Sequence, residues 1–211
     1  MTASIRDAGP FMWLLLTLSV VALAYILERA WALRRARVMP PALAEALADR
    51  DPAEVRTLCH ANPSPLGHLA LAVVDHLAWP KAENASALEV RARQEVAQME
   101  RGLVIIEIIV GIAPLIGLVG TIYGIIPLFG DFGKAVAGDN ALLAKGIAAA
   151  LNKTLAGLGV AIPALVAWSY FNKKVEFLAV ELEGRCDALL RRYYLGSPRT
   201  GEAPAVPASR P

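Results

Sequence analysis

Three stretches of the chain carry no charged side chain: residues 8–27 between Asp7 and Glu28, 108–130 between Glu107 and Asp131, and 154–172 between Lys153 and Lys173. Each has about the length, roughly 20 residues, that a helix needs to cross a hydrocarbon core. A single such run could be a buried helix of a soluble protein, but three in one chain predict an all-α membrane protein with three transmembrane helices. The first run is expected to be retained as a span. Only Arg6 precedes it, no small-x-small cleavage pattern follows, and Glu28-Arg29 leads into Arg34, Arg35 and Arg37 as a stop-transfer flank.

Between the first two runs the pattern turns amphipathic. Asp51-Pro52-Ala53-Glu54 reads as a capping box with Pro at the first helical position, and Ser64-Pro65 repeats the N-cap-then-Pro signal. Leu66, Leu69, Val73 and Leu77 then recur at helical spacing, so this helix has a face to bury. From Glu83 only Gly102 interrupts the approach to the second run. A helix continuous to Phe129 would be on the order of 70 Å long, far more than a membrane needs. The third run continues as KKVEFLAVELEGRCDALLRRYY without Pro, whereas the tail from Gly196, rich in Pro, Gly, Ser and Ala, is expected to be disordered.

Lys and Arg set the direction. Arg6 is the one basic residue among the first ten, while residues 29–37 hold four; Arg91, Arg93 and Arg101 precede the second run, and Lys173, Lys174, Arg185, Arg191 and Arg192 follow the third. In the short loop Asp131 and Asp139 balance Lys134 and Lys145. All basic clusters share one side if the N-terminus is outside and the C-terminus inside. The expected organisation is a first transmembrane helix in 1–33, a helical cytoplasmic insertion in 34–100, a second transmembrane helix in 101–130 and a short periplasmic loop in 131–145. A third transmembrane helix with a cytoplasmic extension follows in 146–195, then the tail 196–211. Spans two and three thus extend as long helices into the cytoplasm.

Composition agrees: 56% of the 211 residues are hydrophobic, 19% are charged, and the mean hydropathy is +0.47, outside the range of ordinary soluble domains. A net charge of +2 gives no reason to expect nucleic acid as a partner, and two cysteines, Cys59 and Cys186, make no disulfide framework. His60, His68 and His76 stand eight residues apart, away from the i, i+4 spacing of metal ligands. No catalytic residue, metal site or cofactor is expected, so the chain is not read as an enzyme.

The second run carries a stripe of Glu107, Val110, Pro114, Gly117, Thr121 and Gly124, spaced 3, 4, 3, 4, 3, on one helical face. The third carries Ala150, Thr154, Gly157, Ala161 and Ala164, spaced 4, 3, 4, 3. Small residues so placed let helices approach closely in lipid, which explains the glycines and alanines either as packing or as a pore face. Thr121 and Thr154 can pass a proton along or coordinate a cation, or else bond back to their own helix carbonyls. Pro114, Pro127 and Pro163 each remove a helix hydrogen bond. No span holds a mid-membrane Asp or Glu, the group with which a proton carrier ordinarily works. Either the protein moves no ion or a partner supplies the carboxylate.

GIAPLIGLVGTIYGIIPLF (111–129) resembles the second span of the ExbB/TolQ/MotA proton-channel family, and ALNKTLAGLGVAIPALVAWSYF (150–171) resembles its third. ANPSPLGHLALA (61–72) is similar to the corresponding segment of ExbB- and TolQ-like members. With the topology and size, the resemblance covers the chain except its tail. It implies a homo-pentamer around two copies of a single-span ExbD- or TolR-like partner that carries the intramembrane Asp, with a TonB- or TolA-like protein as a further partner. Thr121 matches the threonine of the family's GLxGTxxG pattern and Thr154 that of ALxxTxxGL, both facing the ion pathway. The implied role is an inner-membrane proton-channel subunit of a motor that turns proton-motive force into mechanical work; a non-conducting scaffold of the same architecture is the alternative. Three spans, where the flagellar member has four, favour the ExbB/TolQ branch.

One departure stands out. Where the family's third span often begins GIAEALLAT, residues 146–154 read GIAAALNKT, so Ala149 replaces the Glu and Lys153 a small residue. A lone lysine in mid-helix costs roughly 2.5–3.5 kcal/mol on insertion scales. Lys153 either snorkels outward or pairs with an acidic group on the partner and alters ion coupling.

Overall fold

The computed structural model of the protein describes residues 9–132 and 140–195; the expected tail 196–211 and the middle of the expected 131–145 loop lie outside the described residues. The helices are α1 (Gly9–Ala32), α2 (Arg35–Val38), α3 (Pro41–Asp49), α4 (Pro52–Ala61), α5 (Pro65–Asp75), α6 (Lys81–Glu100), α7 (Leu103–Phe132) and α8 (Asn140–Leu195). No strand occurs among the described residues. Gly9–Ala32, Leu103–Phe129 and Ala144–Leu195 are each long and apolar enough to cross a membrane. The chain divides into two units, one formed by 1–34 with 97–176 and the other by 35–96 with 177–211.

The first unit is built from α1, α7 and the first part of α8. Leu15 and Ala22 of α1 form its core with Ile109 and Ala113 of α7 and Ala161 of α8. Helices α1 and α7 run antiparallel: the Phe11 and Tyr123 rings are 5.4 Å apart at one end, and Arg29 Nη1 donates to the Met99 carbonyl at 3.1 Å at the other. Their outward faces keep Trp13, Leu16, Leu23, Leu27, Leu115 and Ile122 exposed, an apolar surface of the kind that lipid covers. Pro114, Pro127 and Pro163 all lie inside continuous helices. The approach to the second span is not continuous, however. α6 ends at Glu100 and α7 starts at Leu103. The Arg29 guanidinium takes the Met99 carbonyl, which a continuing helix would give to Leu103, and occupies the space beside Gly102, where a Cβ would collide with its Nε.

The second unit buries Val38, Leu43, Leu47, Val55, Leu66, Leu69 and Val73 together with Leu178, Leu182 and Leu189 of α8. α5 begins as its sequence predicts, Ser64 Oγ accepting the Gly67 N–H at 3.1 Å. α4 also begins at Pro52, but Asp51 makes no side-chain cap bond; Glu54 instead joins Arg50 at 3.1 Å, so no capping box forms. α5 stops at Asp75, before Leu77, because its last carbonyls are taken by side chains: His76 Nδ1 bonds the Ala72 oxygen at 2.7 Å and Asn84 Nδ2 donates to that of Val73 at 3.0 Å.

Candidate functional site

α7 and α8 meet where neither has side-chain bulk. A Cβ on Gly117 would stand 2.9 Å from the Lys153 carbonyl oxygen and 3.1 Å from the Thr154 Cα, and one on Gly157 would stand 2.6 Å from the Ala113 carbonyl oxygen. Only glycine permits backbones this close, and the approach brings two hydroxyls from different helices into contact. Thr121 Oγ1 and Thr154 Oγ1 are 2.6 Å apart. Thr121 is buried and lies 2.9 Å from the Ala150 carbonyl oxygen and 3.1 Å from that of Gly117; Thr154 is half-buried, 3.4 Å from the Gly117 oxygen.

Each hydroxyl has one proton to donate. The shortest contacts are satisfied when Thr154 donates to Thr121 and Thr121 donates to Ala150, a chain that leaves α8, touches α7 and returns. The Thr121 proton can turn instead toward Gly117 without either helix moving. The site is therefore an interhelical hydroxyl pair with two alternative acceptors, inside an apolar unit where each such bond is stronger than in water.

The other expected residues divide. Ala150, Gly157 and Ala161 are buried on the face of α8 that meets its neighbours, and Gly124 is half-buried against Ala150. Pro114 is half-buried, with Ala113 rather than Pro114 fully packed, and Glu107 is exposed. The buried line of α7 instead runs through Ile109, Ala113, Gly117 and Thr121, an i, i+4 row that crosses the helix surface obliquely and leaves Glu107 outside it.

Lys153 lies along α7 in the space that two glycines leave. A Cβ on Gly120 would meet Lys153 Cδ at 3.3 Å and Phe11 Cβ at 3.2 Å, and one on Gly124 would meet Lys153 Nζ at 3.0 Å. The third charge-free run begins only after Lys153, yet Lys153 sits against Gly117, well inside the second run 108–130. Helix pairing thus places the lysine within the apolar zone rather than at its edge.

Sequence reading missed a polar cluster in the second unit. Glu95 is 2% exposed and meets Arg91 Nη2 and His68 Nδ1, each at 3.0 Å. Arg91 is signalled by its i, i+4 spacing, but His68 comes from another helix, and nothing local announces it. Cys59 and Cys186 are free and buried. Burial pushes the Cys59 thiol up to about 11, helped by Asp75, and the Cys186 thiol up to about 12, helped by Glu183, the opposite of nucleophile activation. Among the described residues no group of His, Cys, Asp and Glu could hold a metal ion.

Residues 64–184 match the profile of the MotA/TolQ/ExbB proton channel family. An ExbB-like biopolymer transport protein of Synechocystis is 34% identical over 168 residues, covering 76% of this chain and 66% of the relative. A biopolymer transport protein ExbB of Helicobacter pylori is 36% identical over 81 residues (38% of this chain, 56% of the relative). The Tol-Pal system protein TolQ of Pseudomonas aeruginosa is 34% identical over 94 residues (44% and 41%). The matches span at most 66% of these three relatives' own lengths.

Proposed function

Because this chain belongs to the MotA/TolQ/ExbB proton channel family, we propose that it is the multi-pass proton-channel subunit of an ExbB/TolQ-type biopolymer transport complex in a bacterial inner membrane. Its N-terminus is outside and its C-terminus inside. Five copies surround two copies of a single-span ExbD- or TolR-like partner whose intramembrane Asp supplies the carboxylate that the three apolar helices lack. Protons cross through that carboxylate, and the complex turns proton-motive force into work on a TonB- or TolA-like protein.

The observation that carries this reading is the hydroxyl pair across α7 and α8, Thr121 and Thr154 at 2.6 Å. Two hydroxyls that exchange partners without helix movement can follow a proton arriving on or leaving a nearby carboxylate. The exposed apolar faces of the first unit supply surface for a ring of subunits and for lipid. The non-conducting scaffold keeps one observation in its favour, since both hydroxyls already find carbonyl acceptors within the subunit.

Proton flux into liposomes under an imposed potential separates the two. The protein reconstituted with its single-span partner is expected to conduct, and without the partner to be silent. Thr121→Val is expected to lower flux about tenfold, equivalent to one hydrogen bond of about 1.4 kcal/mol used in the conducting step. Thr121→Ser, which keeps the hydroxyl, retains flux. An assembled complex that passes no protons overturns the channel reading and leaves the scaffold.

A further inference from the structure

Four oxygens converge where α7 and α8 touch: the hydroxyls of Thr121 and Thr154 and the carbonyls of Gly117 and Ala150. Hydroxyl and carbonyl oxygens are the ligands that hard metal cations prefer. Taken alone, this cluster suits a dehydrated sodium ion as well as it suits a proton.

One side chain changes that balance. Lys153 precedes Thr154 in the sequence, and its Nζ lies beside Gly124, the glycine that packs on Ala150. Its aliphatic stem fills the groove over Gly120, with Phe11 of α1 on the other side. Among the described residues no carboxylate pairs with its amine. An ionisable side chain within an apolar membrane segment marks a functional site by default, and here a groove left by two glycines is shaped to hold it.

We propose that Lys153 excludes sodium from the ion pathway and so makes it selective for protons. This rests on the conducting reading above. A positive charge beside Gly124, one helical turn along α7 from Thr121, opposes any metal cation that would settle among these oxygens, and the opposition is strengthened because the surroundings are apolar. A proton is spared because it travels on the partner's carboxylate as a neutral acid, the hydroxyls only turning their own protons to follow it, so no net positive charge has to sit among the oxygens. The glycines at 120 and 124 belong to the same device, because side chains there would displace the lysine from its groove.

The test uses the complex purified with its partner and reconstituted in liposomes, with radioactive sodium uptake and proton flux read on the same preparation. The native complex is expected to pass protons and leave sodium uptake at background. Lys153→Met should raise sodium uptake at least tenfold, and Lys153→Arg, which keeps the charge, should leave sodium uptake at background. Lys153→Gln, uncharged and still polar, gives the same reading if the methionine variant fails to assemble. A readout without flux accompanies these: NaCl, compared with choline chloride, is expected to raise the melting temperature of Lys153→Met and not that of the native complex. Sodium uptake by the native complex, or continued exclusion in both uncharged variants, overturns the role of Lys153 while leaving the channel standing. A native complex that passes neither ion overturns the channel reading, and this inference with it.

Discussion

A methyl group on Gly157 would have nowhere to go. Its Cβ would lie 2.6 Å from the Ala113 carbonyl oxygen and 3.1 Å from the Gly117 Cα, both backbone atoms that cannot swing aside. Gly157→Ala must therefore part α7 and α8, at a cost of about 1–3 kcal/mol for overpacking, and lengthen the contact between Thr121 and Thr154. A lower melting temperature in detergent is expected, with a weaker flux. Gly184, in the same helix, has open space where its Cβ would stand. Gly184→Ala should leave the melting temperature unchanged or raise it slightly, as alanine does in an exposed helix. The residue pattern alone located Gly117, Thr121, Thr154 and Gly157, because a small or hydroxyl residue every third or fourth position has few explanations in an apolar helix. It could not separate Glu107 and Pro114 from them. Spacing defines a face, but the approach of the neighbouring helix decides which edge of that face is covered.

Helix ends in the second unit depend on residues far away in the chain. Asn84, fully buried, donates to the Val73 carbonyl and to Tyr194 Oη, both at 3.0 Å, and Tyr194 Oη in turn donates to the Trp79 carbonyl at 2.9 Å. The C-terminal end of α8 is thereby tied to the α5–α6 turn. Tyr194→Phe removes one oxygen and leaves both Asn84 Nδ2 and the Trp79 carbonyl short of a partner. A loss of about 1–3 kcal/mol is expected, seen as a lower melting temperature and faster proteolytic cleavage around residues 76–80. Unchanged protection would show that water replaces the hydroxyl. The same kind of distant partner explains why α6 and α7 are two helices. Gly102 alone is a weak breaker, and the break also requires the Arg29 guanidinium on the Met99 carbonyl.

Each of the two units has its own core, and the second holds both cysteines. Their folded thiols titrate near 11 and 12 against an ordinary 9.0, because burial disfavours the thiolate. A folded value above the unfolded one means that the stabilisation is complete below pH 9 and is lost as pH rises through 11 to 12. The melting temperature is accordingly expected to fall across pH 9–11, and a Cys59→Ala, Cys186→Ala double variant should fall less steeply over that range, whatever its starting point at neutral pH. Equal slopes would remove the thiols from the account.

What the sequence determined by itself was the class of molecule and its ingredients. Three charge-free runs, long enough for a bilayer, dictate helices, since a backbone in hydrocarbon must satisfy its hydrogen bonds internally. The ordered motifs around Thr121 and Thr154 point to the family, while the absence of a mid-span Asp or Glu leaves two readings, a protein that moves no ion or one whose partner supplies the carboxylate. Tertiary structure decided everything that depends on which surfaces meet. It joined the two hydroxyls at 2.6 Å, set Lys153 inside the apolar zone where its position in the charge pattern had made it a boundary, and drew His68 to the buried Glu95. The reason is common to all three. A local pattern records how a residue stands relative to its own helix axis, whereas these contacts depend on the relative height and rotation of two helices, which only the packing of their side chains sets.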